Sequence, residues 1–184
     1  MRQYLKTVLV VVAAAGCIAG SASAASEDPA VQAKLDARVV TIKAWAADPV
    51  IVAAVKALNA SAPPDYAAMT NEKWSELSIL DPFVRAFTRN EVAAVLKGKK
   101  TDEVSEAFVS AANGMKVAFL SKTTSWIHKG KPKHDVPMTG KSWQGKLETD
   151  ESTGVQQIQL SVPVLDAGKP IGSLVVGFAI SKLR

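Results

Sequence analysis

The sequence contains little of the chemistry that most catalytic and metal sites use. It has a single cysteine, Cys17, which excludes an intrachain disulfide, a multi-thiolate metal site and covalent haem attachment. His128 and His134 are the only histidines, and no serine partner stands out for either as a general base. We therefore expect no catalytic residues, no metal and no cofactor, and we do not expect an enzyme such as an exported hydrolase.

Motifs for nucleotide or acyl chemistry are also missing. No phosphate-cradling glycine-rich loop follows a strand pattern, and no Gly-x-Ser-x-Gly elbow occurs. Neither sign of charge dominates, because 22 basic residues face 17 acidic ones. The resulting net charge of +5 is too small to indicate binding to nucleic acid. What remains is an ordinary globular composition, long enough for one domain.

The most apolar run lies at the N-terminus and has the pattern of a secretory signal peptide. Arg2 and Lys6 precede an apolar stretch over residues 7–20, and Ala22-Ser23-Ala24 supplies the small residues of a cleavage site. The stretch is shorter than the roughly 20 residues that a membrane-spanning helix needs. We expect residues 1–24 to be removed and residues 25–184 to form one periplasmic or secreted domain.

Two alternatives to this processing stay open. Ala14-Ala15-Gly16-Cys17 resembles a lipoprotein processing box, although the usual leucine three positions before the cysteine is missing. Lipidation at Cys17 would hold the domain on a membrane surface. The same apolar stretch could also stay uncleaved as an anchor.

The first half of the remaining chain has helical patterns. Asp28-Pro29, Asp48-Pro49 and Asp81-Pro82 each combine a helix-capping aspartate with a proline suited to the first helical turn. Apolar residues recur at helical spacing after the first of them, at Val31, Leu35, Val39, Ile42 and Ala46. We therefore predict that residues 28–114 are mainly helical.

Three further helix boundaries follow from local motifs. Thr70 is expected to cap a short helix through Leu77, and Thr88-Arg89-Asn90-Glu91 reads as a capping box. Thr101 or Asp102 is expected to cap another helix, closed by Asn113-Gly114. That last helix would carry Val104, Phe108 and Ala111.

The second half has strand patterns instead. Residues 115–120, 123–127 and 142–149 have strand composition, and residues 128–140 read as a long polar loop. Apolar residues alternate up to Val164, and Asp166-Ala167-Gly168-Lys169 predicts a hairpin turn into a last strand over 171–180. Residues 115–183 are thus predicted to be mainly strands. Helices followed by consecutive strands indicate an α+β fold, with a long N-terminal helix and further helices packed on a central antiparallel sheet.

Positive charge is concentrated in one segment. Residues 116–146 contain seven lysines and one acidic residue, Asp135. Within this segment two tryptophans bracket several cations, a carboxylate and a glutamine. Tryptophan supplies flat apolar area, and lysine supplies a mobile charge suited to a carboxylate or phosphate. The segment either lines a pocket for a small anion or zwitterion, or packs both tryptophans into the sheet and leaves its lysines in water.

The C-terminal hairpin carries a resemblance to a known family. Residues 159–177, with Ser161-Val162-Pro163-Val164 before the turn and Gly172 and Gly177 after it, resemble the closing hairpin of Cache-type, PAS-like extracytoplasmic sensor domains. The resemblance covers residues 28–183, and residues 141–145 look like the ligand-side segment of such domains. It implies that one face of the sheet, with a covering loop, holds a small amino acid or organic acid.

This resemblance leads to a functional hypothesis. We expect an exported sensor module for a small carboxylate-bearing ligand. Trp126 and Trp143 would wall the pocket, the basic side chains would meet negative charge, Asp135 would meet an amino group, and Gln144 would add a hydrogen bond. The full set of expected ligand-binding residues is Trp126, His128, Lys131, Lys133, His134, Asp135, Trp143 and Gln144.

The expected partners follow from the same hypothesis. The sequence has no second apolar span and no output domain, so we expect the module to pass its state to a membrane-bound signalling partner. The alternative is an interaction protein whose basic loop docks an acidic partner or lipid headgroups. A cavity beside both tryptophans favours the first hypothesis, and an exposed basic ridge favours the second.

Overall fold

The computed structural model describes residues 28–150 and 154–183. The predicted signal peptide and Cys17 lie outside these residues. Helices precede the sheet along the chain. They are α1 (Pro29–Ala46), α2 (Pro49–Ala60), α3 (Pro64–Ala67), α4 (Asn71–Glu76), α5 (Pro82–Ala86) and α6 (Glu91–Lys99).

Strands make up most of the remainder of the described chain. They are β1 (Val104–Ala111), β2 (Lys116–Phe119), β3 (Trp143–Thr149), β4 (Gln156–Asp166) and β5 (Lys169–Ala179). A short helix α7 (Pro132–Asp135) and a 3₁₀ turn (Pro137–Thr139) precede β3, and α8 (Ile180–Leu183) follows β5. The α+β class predicted from the sequence is confirmed.

The three Asp-Pro motifs begin helices as predicted. The Oδ1 atoms of Asp28, Asp48 and Asp81 accept backbone hydrogen bonds at 2.9, 3.0 and 2.8 Å from the N–H groups two residues further on. These bonds satisfy N–H groups that have no partner inside the helix. Thr70 caps α4 in the same way, through the N–H of Lys73.

Two helix predictions are wrong. Thr88 does not form the capping box, because Asn90 is the N-cap of α6 and its Oδ1 accepts from the N–H of Ala93 at 2.9 Å. The helix expected after Thr101 is strand β1, so helices do not extend through residue 114. β1 lies between β2 and β5, and its residues 107–111 are all buried. An apolar run of that kind has no alternation to distinguish it from a buried helix.

One predicted strand is also absent. Residues 123–127 form a loop in which Ile127 alone makes a β-bridge, to Met115. The polar stretch 128–140, predicted as a loop, instead contains α7 and the 3₁₀ turn.

The five strands form one antiparallel sheet in the order β2-β1-β5-β4-β3. The predicted hairpin of β4 and β5 is confirmed, and in its register Val162 pairs with Leu174 and Val164 with Gly172. Ala167 and Gly168 both have positive φ, at 47° and 78°. Two consecutive positive φ values are typical of a type I′ turn, whose twist matches the twist of the strands.

The main hydrophobic core lies between the sheet and the helices α1, α2 and α6. The face of α1 predicted from its apolar spacing is buried, with Val39 half-buried. The sheet contributes alternate residues of β4 and β5: Ile158, Leu160, Val162, Val164, Leu174, Val176 and Phe178. Among the described residues no helix is both long and apolar enough to span a bilayer.

Candidate functional site

The face of the sheet turned away from this core is polar where β4 crosses it. Gln157 and Gln159 alternate with Ile158 and Leu160, and side chains of successive strand residues point to opposite faces. Both glutamines are buried. Buried amides need hydrogen-bond partners, so this alternation concentrates polar groups on one side of the sheet.

A cavity of about 300 Å³ opens on this polar face. Glu106 and Phe108 of β1 and the two glutamines of β4 contribute to its wall. The volume is at the lower end of the range for small-molecule sites. Its other charged and titratable lining residues are His128, Lys131, Lys133, Glu148 and Asp150.

A chain of hydrogen bonds fixes the polar side chains of this wall. Lys133 Nζ donates to Gln159 Oε1 at 2.8 Å, and Gln159 Nε2 donates to Glu106 Oε1. Gln157 Nε2 donates to the same Glu106 oxygen at 2.6 Å. The amide orientations therefore suit an ionised Glu106, which accepts two hydrogen bonds at one oxygen.

Gly177 on β5 makes room for this arrangement. A Cβ atom placed on Gly177 would lie 2.1 Å from Gln157 Oε1, closer than any side-chain carbon can approach. Ser105 Oγ also hydrogen-bonds to that oxygen. Glycine at this position thus lets the Gln157 side chain lie across the strand.

Burial raises the pKa of Glu106, while the hydrogen bonds from Gln159 and Gln157 and the charge of Lys133 oppose that rise. The carboxyl is therefore sensitive to any further charge that enters the cavity. An ammonium group placed beside it would lower its pKa.

Lys131 and Lys133 bring positive charge to the cavity from the segment around α7. Lys131 Nζ donates to Ser125 Oγ at 2.6 Å, and Lys133 reaches the sheet through Gln159. His134, in the same segment, is buried against the sheet. Its Nδ1 lies 2.8 Å from Ser173 Oγ and its Nε2 lies 3.3 Å from the carbonyl oxygen of Ala112. His134 thus anchors the segment that carries the two lysines.

A second pair of basic groups lies next to the cavity. Lys116 Nζ contacts Nδ1 of His128 and lies 3.2 Å from Ser110 Oγ. Lys116 is fully buried and His128 is 2% exposed. Burial lowers the pKa of both groups, and for His128 the charge of Lys116 adds to that effect.

The expectation that Trp126 and Trp143 share one cavity with these cations is wrong. Trp126 is fully buried in an aromatic cluster, with Trp74 and Phe87 at ring-centroid distances of 5.3 and 5.1 Å. Trp143 pairs with Ser161 at the start of β3, and its ring lies over Gly145. Neither ring is among the lining residues of the cavity.

Two other expected residues also lie outside the cavity. Asp135 is exposed, and its Oδ1 accepts from the N–H of Gly130 at 3.0 Å. Gln144 exchanges hydrogen bonds of 3.1 and 2.9 Å with Gln32 of α1. Its side chain therefore lies on the helix side of the sheet. Of the eight expected residues, the cavity is lined by His128, Lys131 and Lys133.

The sequence reasoning missed the residues that β1 and β4 supply. The sequence patterns predict a helix around Glu106 and a strand at Gln157 and Gln159, and neither pattern indicates that these residues meet. The usable signal was the alternation of glutamine with isoleucine and leucine in 157–160, since glutamine is rarely buried without a specific partner. Within the described residues, no group of three or more His, Cys, Asp or Glu side chains could hold a metal ion.

Comparison with known proteins finds distant similarity to solved structures. No protein-family model matches the chain, and no curated protein matches it. The ligand-binding domain of the amino-acid chemoreceptor PctC of Pseudomonas aeruginosa, solved with GABA, has a TM-score of 0.46 and 12% identity over 83% of this chain. The sensory domain of the Campylobacter jejuni chemoreceptor Tlp3, solved with isoleucine, has a TM-score of 0.44 and 15% identity over 86% of it.

A third similar structure comes from a kinase. The sensor domain of the Vibrio cholerae histidine kinase DctB has a TM-score of 0.38 and 14% identity over 83% of this chain. All three are sensory domains. The alignments cover 56%, 66% and 58% of the PctC, Tlp3 and DctB chains, so this chain spans about three fifths of their length.

Proposed function

We propose that this protein is an extracytoplasmic sensor module that binds a small carboxylate-bearing molecule, an amino acid or an organic acid, without a chemical step. The observation that carries the proposal is the cavity of about 300 Å³ that contains both cations and carboxylates. A charged ligand leaving water must recover its lost hydration from charged or hydrogen-bonding groups. Lys131 and Lys133 provide such charged hydrogen-bond donors for a carboxylate.

The acidic side of the cavity favours an amino acid within this class. Glu106 is held by the amides of Gln157 and Gln159, which leaves the carboxylate fixed in place beside the cavity. A fixed carboxylate is a suitable acceptor for an ammonium group. The solved structures with GABA and isoleucine belong to proteins of similar fold, and an amino acid is accordingly the first ligand to test.

The location and the partner are part of the same proposal. The N-terminal pattern of Arg2, Lys6, the apolar stretch and Ala22-Ser23-Ala24 supports export to the periplasm. Binding alone carries no signal, so we propose that a membrane-bound signalling partner reads the ligand-bound state. The alternative of a basic docking loop is weakened because Lys131 and Lys133 line the cavity.

A thermal-shift screen of the purified protein tests the binding proposal. The panel holds the twenty common amino acids and small acids such as acetate, lactate and succinate. A compound present at 100 times its dissociation constant adds about 2.7 kcal/mol to the free energy of unfolding. We expect at least one compound to raise the melting temperature, and no shift with any member of the panel would contradict the proposal.

Two variants locate the binding to the cavity. Lys133→Met should abolish or reduce the shift, since it removes a positive charge from the lining. Glu106→Gln should reduce the shift of a compound that carries an ammonium group, since it removes the negative charge beside that group. Lys129→Met is the matched control, because Lys129 is an exposed lysine of the same segment that does not line the cavity. An equal loss in all three variants would indicate non-specific charge attraction.

A further inference from the structure

The contact between Lys116 and His128 places two bases side by side in a buried setting. Lys116 Nζ contacts His128 Nδ1, and His128 lines the cavity while Lys116 does not. Among residues 28–150 and 154–183, no carboxylate forms an ion pair with Lys116. A buried ammonium without a counter-charge is costly, so the pair favours its neutral form as long as no anion supplies that charge.

The groups around Lys116 Nζ could nevertheless stabilise a proton on the pair. Ser110 Oγ lies 3.2 Å from Lys116 Nζ, and the Phe108 ring centroid lies 4.6 Å from it. A hydroxyl oxygen and an aromatic face both stabilise an ammonium group. His128 Nδ1 provides a third acceptor, which lets one proton be held between two nitrogen atoms.

The charges of the protein itself act on the pair in both directions. The cations Lys131 and Lys133 oppose protonation of the pair, and Glu106 favours it. His134 also faces this region from α7, and its contacts to Ser173 and Ala112 suit a neutral ring. The titratable and charged groups around the pair are Glu106, Lys131, Lys133, His134, Glu148 and Asp150.

We propose that a carboxylate entering the cavity draws one proton onto the Lys116–His128 pair, so that anion binding and proton uptake are coupled. This inference rests on the proposed function, because it concerns the same cavity. The entering negative charge supplies the counter-charge that the pair lacks. The proton comes from solvent and is held between Lys116 Nζ and His128 Nδ1. A neutral ligand supplies no such charge, so the pair distinguishes anions from neutral molecules of the same shape.

The coupling has a definite sign. If binding takes up a proton, affinity rises as pH falls, and by linkage the bound anion raises the pair's proton affinity equally. One proton corresponds to a change of about tenfold in the dissociation constant per pH unit. The dissociation constant stops changing at low pH, where the pair is protonated even without ligand. It also stops changing at high pH, where the pair stays neutral even with ligand bound.

Acetate and acetamide provide a matched pair of probes. They have nearly the same shape, and acetate alone is charged. Titration of the isotope-labelled protein, followed by NMR, gives a dissociation constant for each from about pH 6 to about pH 9, between the ordinary pKa values of histidine and lysine. We expect acetate to bind at least tenfold more weakly at the upper end of this range, and acetamide binding to be constant.

Variants assign the proton to the pair. Lys116→Met should remove the pH dependence of acetate binding. Lys133→Met should weaken acetate binding at every pH and keep the pH dependence, since Lys133 lines the cavity outside the pair. The comparison of acetate with acetamide needs no variant, so it decides the matter even if Lys116→Met does not fold.

Three results would overturn the inference: acetate binding that is constant with pH, a pH dependence that persists in Lys116→Met, or no acetate binding at the cavity. The thermal-shift panel judges the proposed function separately. A stabilising compound in that panel together with pH-independent acetate binding would remove the coupling and leave the sensor function intact.

Discussion

The two faces of the sheet bury different kinds of side chain, although the same strands supply both. On β4 and β5 the residues that face α1 and α2 are apolar, such as Leu160 and Leu174. The opposite face buries an aromatic cluster and several polar groups, including Lys116, His128 and Gln159. Apolar burial stabilises a fold at about 25 cal/mol per Å², and polar burial does so only with full hydrogen bonding. The helix face is thus almost wholly apolar, and the cavity face combines an apolar cluster with the polar groups of the proposed binding site.

The largest effect is expected on the helix face. Leu160→Ala should lower the free energy of unfolding by about 2–5 kcal/mol, since it leaves a void in a fully buried position. Gln159→Ala is the matched control on the next residue, whose side chain lies on the other face. Gln159→Ala should lower the free energy of unfolding by less than Leu160→Ala does, and it should reduce ligand binding. Urea unfolding measures both, and an equal loss of stability would contradict the division between the faces.

The next effect concerns the pH dependence of stability. Unfolded Lys116 has its ordinary pKa of about 10.4, and burial lowers the pKa in the folded protein. At pH values between the folded and the unfolded pKa of Lys116, the unfolded chain binds one more proton than the folded protein. The free energy of unfolding of the wild type therefore rises with pH. Lys116→Met lacks this contribution. The difference in unfolding free energy between the two should change by up to about 1.4 kcal/mol per pH unit as the pH approaches about 10 from below. Parallel pH profiles would show that Lys116 is charged in the folded state.

A smaller effect is expected at Ser161, on the cavity face. Ser161 Oγ is the buried side-chain polar atom of the described residues that has no hydrogen-bond partner. A buried hydroxyl without a partner lowers stability. Ser161→Ala should therefore raise the free energy of unfolding by about 1 kcal/mol. Thermal melting checks this, and a loss of stability would indicate a partner for the hydroxyl.

The smallest change in stability is expected at Lys133. Its hydrogen bond to Gln159 lies at a partly exposed position, so Lys133→Met should change the free energy of unfolding by less than about 1 kcal/mol. Ligand affinity should nevertheless fall at least about tenfold, the effect of losing about 1.4 kcal/mol of charge-assisted bonding. Calorimetry on the compound selected by the thermal-shift panel measures the affinity. A large loss of stability with unchanged affinity would place Lys133 in the structural part of this face.

The sequence predicted the elements whose signals are local. The aspartates before Pro29, Pro49 and Pro82 begin helices, and the turn at Ala167-Gly168 joins two alternating strands. β1 was missed because its buried apolar run has no period of its own. Its identity depends on pairing with β5, a strand more than sixty residues later.

The residues of the candidate site also fall into those that a local pattern predicts and those that only the fold brings together. Lys131 and Lys133 were found because they belong to one basic segment. Glu106 and Gln159 come from strands far apart in the sequence, and only the sheet brings them together. Trp126 was misassigned because tryptophan serves a pocket wall and an aromatic core equally well, and its neighbours Trp74 and Phe87 lie about forty to fifty residues earlier.

The most direct test of the account is a crystal structure of the protein with the most stabilising compound of the thermal-shift panel. The account predicts that the compound lies in the cavity on the sheet face opposite α1, with its carboxylate within hydrogen-bonding distance of Lys131 or Lys133. For an amino acid, the ammonium group should lie beside Glu106. A compound bound on the helix side of the sheet, or at the surface outside this cavity, would contradict the account.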